Sequence, residues 1–485
     1  MTDYSVSSGV TSTGLVLGSG DDIFIYTGGV AIDTTVGAGA GEFIYSGGVA
    51  SDTTLRGQVF IQAGATAVGT TVSAAASAFV ESGGTAIDTV ISSGGYENVI
   101  SGLAIGTTVS SGGTQFVLSG SVASGTAVKT GGVELTRLGG IARNATISKG
   151  GKEIISAGGT ASNAAVSSGG HLEVFSGGVA SGTTVSNGGT FEVFSGAASG
   201  ATVLSGGTLA LHGGAVVGGM SVKSGGTLDI AGGYTLDSKT TIGGVSGGTV
   251  SVGITLGVLS GGRAIGMHVG SGGLVDVKGG QTSAAIVSKG GVERVSSGGY
   301  ASGTAVLSGG LLAYAGGTVV GAKLSSGAVE AVAQGARVVG LTVGTGVTLA
   351  VSSGGSASGT TLSGGAEIVS AGGKALGTVT MAGTRNTLTV AGTSGIALAV
   401  KGFATTDTID LASFAFGTGE KLSFAENTAK TSGTLTVTDG ALKATVTLFG
   451  NYVAAGFHLA KAGTGTAITY SATTAAHVDM TAGHG

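Results

Sequence analysis

Apolar positions in this chain fall into columns when it is cut into lengths of nineteen residues. One column reads Ala31, Ala50, Ala86, Ala123, Ala142, Ala161, Ala180 and Ala301, and five positions later stand Val36, Leu55, Ile91, Val128, Ile147, Val166, Val185 and Val306. A third column reads Val99, Val117, Thr136, Ile155, Val174, Val193 and Val295. Pairs of adjacent glycines keep time between them. Over residues 131–189 the pairs begin at Gly131, Gly139, Gly150, Gly158, Gly169, Gly177 and Gly188, alternately eight and eleven apart. A fixed period near twenty residues marks a solenoid, whose units stack on one another and do not fold alone.

One unit, residues 169–187, reads GGHLEVFSGGVASGTTVSN. Its stretches over residues 171–176 and 183–186 are β-prone and end in Gly- or Ser-rich corners. The pairs Gly150 and Gly151, Gly158 and Gly159, Gly169 and Gly170, and Gly177 and Gly178 are expected at those corners, where positive φ favours glycine. Stacked coils place each residue over its counterpart one repeat away. The alanine column (Ala142, Ala161, Ala180) is therefore expected at a tight inside corner. The columns Ile147, Val166, Val185 and Ile155, Val174, Val193 are expected as apolar inner ladders. A mixed column, Glu97, Gln115, Glu134, Glu153, Leu172 and Phe191, is expected to face outward, with its glutamates solvated rather than forming a ligand-binding stripe.

The fold expected is all-β: a right-handed β-solenoid, or parallel β-helix, of about nineteen residues per coil. Residues 1–27 are assigned to an N-terminal cap, 28–384 to the repeats, and 385–485 to a β-rich C-terminal module for capping or secretion. At roughly 4.8 Å per coil the repeats would extend about 90 Å. The beat weakens around residues 208–258 and 311–350, where irregular coils or outward loops are expected. After Gly383 the pairs vanish, and Phe403, Phe414, Phe416, Phe424, Phe449 and Phe457 appear. Residues 434–438 and 444–449 alternate with period two around an Asp439-Gly440 turn.

Composition narrows the partners. Of 485 residues 102 are Gly, with no Pro and no Cys; 41% are apolar, 9% charged, and the net charge is −4. No basic run points to nucleic acid, and disulfides and thiolate metal sites are excluded. Neither a basic leader nor an apolar stretch follows Met1, so no Sec-type signal peptide is expected, and no apolar run is long enough for a membrane helix.

Candidate chemistry is sparse. Gly18-Ser-Gly-Asp-Asp-Ile-Phe resembles one turn of a calcium repeat, which makes Asp21 and Asp22 weak calcium candidates, although such sites need successive turns. Asp407 and Asp410 read as a turn and a strand start. None of His171, His212, His268, His458, His477 and His484 has zinc-site spacing, and no nucleophile elbow is present. No catalytic or cofactor-binding residue is assigned. A polysaccharide-active β-helix enzyme, which needs clustered carboxylates in a cleft, is kept as a remote alternative.

The segment SGGVASGTTVSNGGTFEVFSG over residues 176–196, of the form SGGxAxxTxVxSGG, resembles the nineteen-residue repeat of AIDA-type autotransporter adhesin passengers, as does the opening SSGVTSTGLVLGSGDDIFIYTGG. The resemblance implies a β-solenoid at the bacterial surface, acting in adhesion, autoaggregation or biofilm matrix, with heptose on Ser and Thr and a heptosyltransferase partner. The tail, with Asp407-Thr-Ile-Asp-Leu and Leu448-Phe-Gly-Asn-Tyr, is similar to C-terminal modules of type I-secreted alphaproteobacterial repeat proteins, which implies an ABC-type exporter. The low charge leaves a second reading open: a self-associating protein that forms a surface layer or filament.

Overall fold

The computed structural model describes residues 2–73, 75–237, 241–243, 245–246, 248–250, 252–392, 395–417 and 419–471. His477 and His484 lie outside them. The chain divides into two compact units, Met1–Met267 and His268–Gly485. Each is built from β-strands; the described helix is one 3-10 turn, Ala454–Gly456.

In the first unit each coil carries three short strands rather than two. One coil holds Val133–Thr136, Ile141–Arg143 and Thr146–Ile147. The next holds Lys152–Ile155, Thr160–Ser162 and Ala165–Val166, followed by His171–Val174, Val179–Ser181 and Thr184–Val185. Successive coils pair in parallel and in register: Ala142 with Ala161 and Ala161 with Ala180, Ile147 with Val166 and Val166 with Val185, Ile155 with Val174 and Val174 with Val193. All of these side chains are buried. The alanine column differs from expectation in its place: it forms the centre of a three-residue strand, not a corner. The methyl group packs closely on the inner side of this narrow face, and Val217 takes the same column one coil beyond Ala198.

The paired glycines do two different jobs. At the corner of residues 167–170, Ser168 and Gly169 have φ of 50° and 80°, and the Gly170 N–H donates to the Ser167 carbonyl at 2.9 Å. Two consecutive positive φ values closed by this bond make a type I′ turn, for which Gly169 is suited. Gly170 does not need positive φ. A Cβ there would stand 2.4 Å from the Ile147 carbonyl oxygen of the coil below, and the same collision faces Gly151, Gly159 and Gly178 at 2.4, 2.3 and 2.6 Å. Close stacking, not turn geometry, demands the second glycine of each pair. The corner after the alanine strand also takes positive φ, at Asp33, Asp52, Asp88, Asn144 and Asn163, the residue types that enter this region most readily after glycine.

Within residues 1–27, expected as an N-terminal cap, the strands over 3–17 follow the coil pattern, with Asp3–Val6 paired in register to Asp22–Ile25. The irregular stretch expected near residues 208–258 contains an insertion: an antiparallel hairpin joins Thr241–Ile242 to Val245–Ser246, and register resumes with Thr227 opposite Thr255.

The second unit keeps the same coil. Leu311, Val329 and Thr348 stack without interruption, but the other two ladders break within residues 311–350, as expected: Thr318–Val320 and Lys323–Leu324 end their sheets, and new ones begin at Arg337–Val339 and Thr342–Val343. Beyond the last coils the pairing changes sense. Thr408–Leu411 is met by the antiparallel strand Gly465–Tyr470, itself paired with Phe457–Ala462. Ile396–Lys401 is followed by Leu442–Phe449, which begins an antiparallel meander through Ser432–Asp439 to Glu420–Glu426. Phe403, Phe414 and Phe457 are buried in this part. Hairpins laid across the last coil strands occupy hydrogen-bonding edges that another chain could otherwise pair with.

Candidate functional site

Two sets of side chains stand out from the repeat, one outside the coils and one inside. The outer set lies on the longest strand of each coil. Its third position points to solvent, and in consecutive coils it holds Phe24, Phe43, Phe60 and Phe79, which are aligned by strand register. Their rings stack with centroids 5.2, 5.0 and 4.9 Å apart, the spacing that stacked strands impose. Beside them Tyr26 and Tyr45 stack at 5.2 Å. A third stack joins Phe175, Phe194 and His212 at 5.1 and 4.1 Å. Ring faces inside such a stack are covered by neighbouring rings, so the strips offer ring edges outward. A sugar ring needs an open aromatic face, whereas edges suit packing against another apolar strip.

At the first strip an open groove of about 420 Å³ is lined by Asp22, Phe43, Arg56, Gln58 and Ser77. It exists because Gly41 leaves the outward column empty between Asp22 and Gln58, and because the coil is shortened at Arg56-Gly57. Asp22 thus lies on a groove wall. Asp21 is committed to the corner, accepting from the Thr2 and Gly18 N–H groups at 2.7 and 3.0 Å, and these backbone bonds hold its carboxyl below the usual value. Among the described residues no three acidic or histidine side chains converge as a metal site would require. Asp407 accepts from Asn386 and the Ala404 N–H, fixing a turn, and Asp410 lies in the following strand.

The inner set overturns the sequence reading. Glu97, Gln115, Glu134, Glu153, Leu172 and Phe191 face inward, and all are completely buried. Each stands two residues before an inward Val, Ile or Thr, and residues two apart in a strand share a face. That parity was available in the sequence; the expectation that charges lie outside concealed it. Glu42 in the first unit and Glu293, Glu330 and Glu367 in the second occupy the same column, also fully buried. No Lys, Arg or His pairs with these carboxyls among the described residues; the ion pairs recorded, such as Lys152 with Glu173 at 2.6 Å and Arg294 with Asp276, lie on outer positions.

Glu42, Glu97 and Glu293, with Gln115, accept from a hydroxyl at the corner after the second strand, and Glu330 accepts from the Tyr314 hydroxyl at 2.8 Å. Thr53 donates to Glu42 and Thr107 to Glu97, each at 3.0 Å; Thr126 donates to Gln115 at 3.0 Å; Thr304 donates to Glu293 at 2.8 Å. Glu134, Glu153 and Glu367 are the exceptions, with no hydrogen-bond partner on either carboxyl oxygen. The corner positions facing Glu134 and Glu153 are Ala145 and Ala164. Burial pushes the Glu134 carboxyl up to about 7. It pushes Glu153 well above the ordinary range, with the charge of Glu134 adding to it. Burial also raises Glu42 and Glu367 to about 7.

Against known proteins, residues 138–189 match the family model described as "Adhesin of bacterial autotransporter system, probable stalk". No curated protein gives a match. Among solved structures the chain is similar to the crystal structure of the TibC-catalysed hyper-glycosylated TibA55-350 fragment, with 27% identity, 68% of this chain and 100% of that chain covered, and a TM-score of 0.41. Among the described residues no helix is long and apolar enough to cross a membrane.

Proposed function

We propose that the chain is the stalk of an extracellular bacterial surface adhesin, acting through its exterior and reach rather than through catalysis. The observation that carries this is the coincidence of the stalk-family match over residues 138–189 with coils whose inner positions are fixed by packing and whose outer positions vary freely. A catalytic role is disfavoured by the placement of the glutamates: eight completely buried column positions hold Glu or Gln, whereas a sugar-cleaving enzyme needs two carboxyls on an open cleft. Heptose on exposed corner Ser and Thr, an exporter of the ABC type and a role in biofilm matrix belong to the same proposal. Display can be tested by protease treatment of intact cells that express the chain. Loss of the protein from the cell surface fraction, with cell adhesion falling in parallel, is the expected result; full protection from protease would refute it.

Self-association is the second reading, and the stacked ring edges of Phe24, Phe43, Phe60 and Phe79 favour it. Electron microscopy of the purified protein separates the two: lateral bundles or lattices support self-assembly, and isolated particles support a stalk that binds other surfaces.

A further inference from the structure

Glu134 and Glu153 pair in register on adjacent coils, have no access to water, and leave four carboxyl oxygens without a donor. We propose that the coils around them fold by taking up protons, so that this segment is a proton-binding element that orders on acidification and loosens as the medium becomes alkaline.

The surroundings supply no alternative to the proton. The inward side chains of the second strands are Ala123, Ala142 and Ala161, those of the third strands are Val128, Ile147 and Val166, and the nearby corners give Ala145 and Ala164. Two hydroxyls lie close: Thr126 is beside Glu134 but gives its proton to Gln115 at 3.0 Å, and the buried Thr136 makes no hydrogen bond through its side chain. Along the column Gln115 lies below and Leu172 above. The remaining titratable group facing this space is Glu97, whose Oε2 already accepts from Thr107 and from the Gln115 amide at 3.0 and 2.8 Å. Lys152 is on the outer face, paired with Glu173. Two unpaired carboxylates one coil apart in a dry interior repel each other and lose their hydration. A protonated carboxyl removes the charge and supplies the O–H donor that the column lacks. Above the ordinary pKa of a free glutamate the unfolded segment has given up these protons and the folded one retains them, so rising pH favours opening.

Infrared spectroscopy of the full chain, with hydrogen exchange resolved over residues 133–155, tests this. At about pH 6 the folded protein should show a protonated-carboxyl band that weakens in the double variant Glu134→Gln, Glu153→Gln. The amide is expected to fit because Gln115 already occupies this column. The opening constant of these coils, corrected for intrinsic exchange, should rise by up to about tenfold per pH unit for each carboxyl in the parent and stay nearly flat in the variant. Ala145→Thr with Ala164→Thr, which restores the missing hydroxyls, should reduce the slope. A spectrum showing ionised carboxylates alone, or identical pH dependence in parent and Gln variant, would overturn the proposal. If the Gln variant fails to fold, the Ala145→Thr, Ala164→Thr variant decides: an unchanged pH slope of opening over residues 133–155 would overturn the proposal.

Discussion

Two neighbouring stretches of the first unit share one backbone and differ in what fills it. Over residues 96–155 the inner column holds Glu97, Gln115, Glu134 and Glu153; over residues 171–230 the same column holds Leu172, Phe191, Leu209 and Leu228. Strand lengths, register and corners hardly change between them. The coil is therefore specified by its ladders of Val, Ile and Ala and by its glycines, and one column can be given over to groups that are costly to bury without altering the path of the chain. The difference concerns how firmly each stretch holds, and under which conditions.

The comparison can be broken most severely from the apolar side. Val185→Asp places a carboxylate in a dry ladder without a partner and should cost about 3–5 kcal/mol, melting the adjacent coils, whereas its exposed neighbour Thr184→Asp should change stability by less than about 0.5 kcal/mol. Thermal unfolding followed by circular dichroism reads both, and similar losses at the two sites would contradict the assignment of faces. Leu172→Glu carries the acid column one coil further. At pH 5 the new carboxyl is expected to be neutral; as pH rises from the ordinary 4.5 through about 7, the folded-state value of Glu134, the variant should lose roughly 3 kcal/mol relative to the parent. A constant difference across that range would count against it. Glu153→Leu moves the boundary the other way and should raise the melting temperature above pH 7, by about 1–3 kcal/mol in stability, with a smaller gain at pH 5. Phe60→Ala on the outer strip should cost about 1 kcal/mol or less, yet it should reduce lateral association measured by sedimentation if the ring edges make that contact.

The period, the corners and the Val and Ile ladders could be read from the sequence because each coil repeats the same physical constraint, and repetition makes a weak local signal visible. The Val179–Ser181 strand was missed because three residues around an alanine carry little β propensity of their own; they become a strand through pairing with the coils on either side. The outer phenylalanines fall at spacings of nineteen, seventeen and nineteen, and the short coil ending at Arg56-Gly57 displaces them from a rigid nineteen-residue grid. The buried glutamates are the more instructive miss. Alternation places Glu153 on the same side as Ile155, whereas the ordinary exclusion of charge from interiors points it outward. In a solenoid the parity of a strand outranks the polarity of one residue, because turning that side chain outward would turn every ladder with it.

The glycine that lies against the carbonyl of the coil below has a consequence for how such a chain can change through inheritance. A coil whose backbone must touch its neighbour this closely, as Gly170 does with Ile147, tolerates little rewriting at that point, yet every coil presents the same bare surface above and below. A copied coil arrives with its fit already made. Lengthening or shortening by whole repeats is therefore an easier route than point-by-point revision, and the reach of the molecule can drift in steps while its cross-section stays fixed.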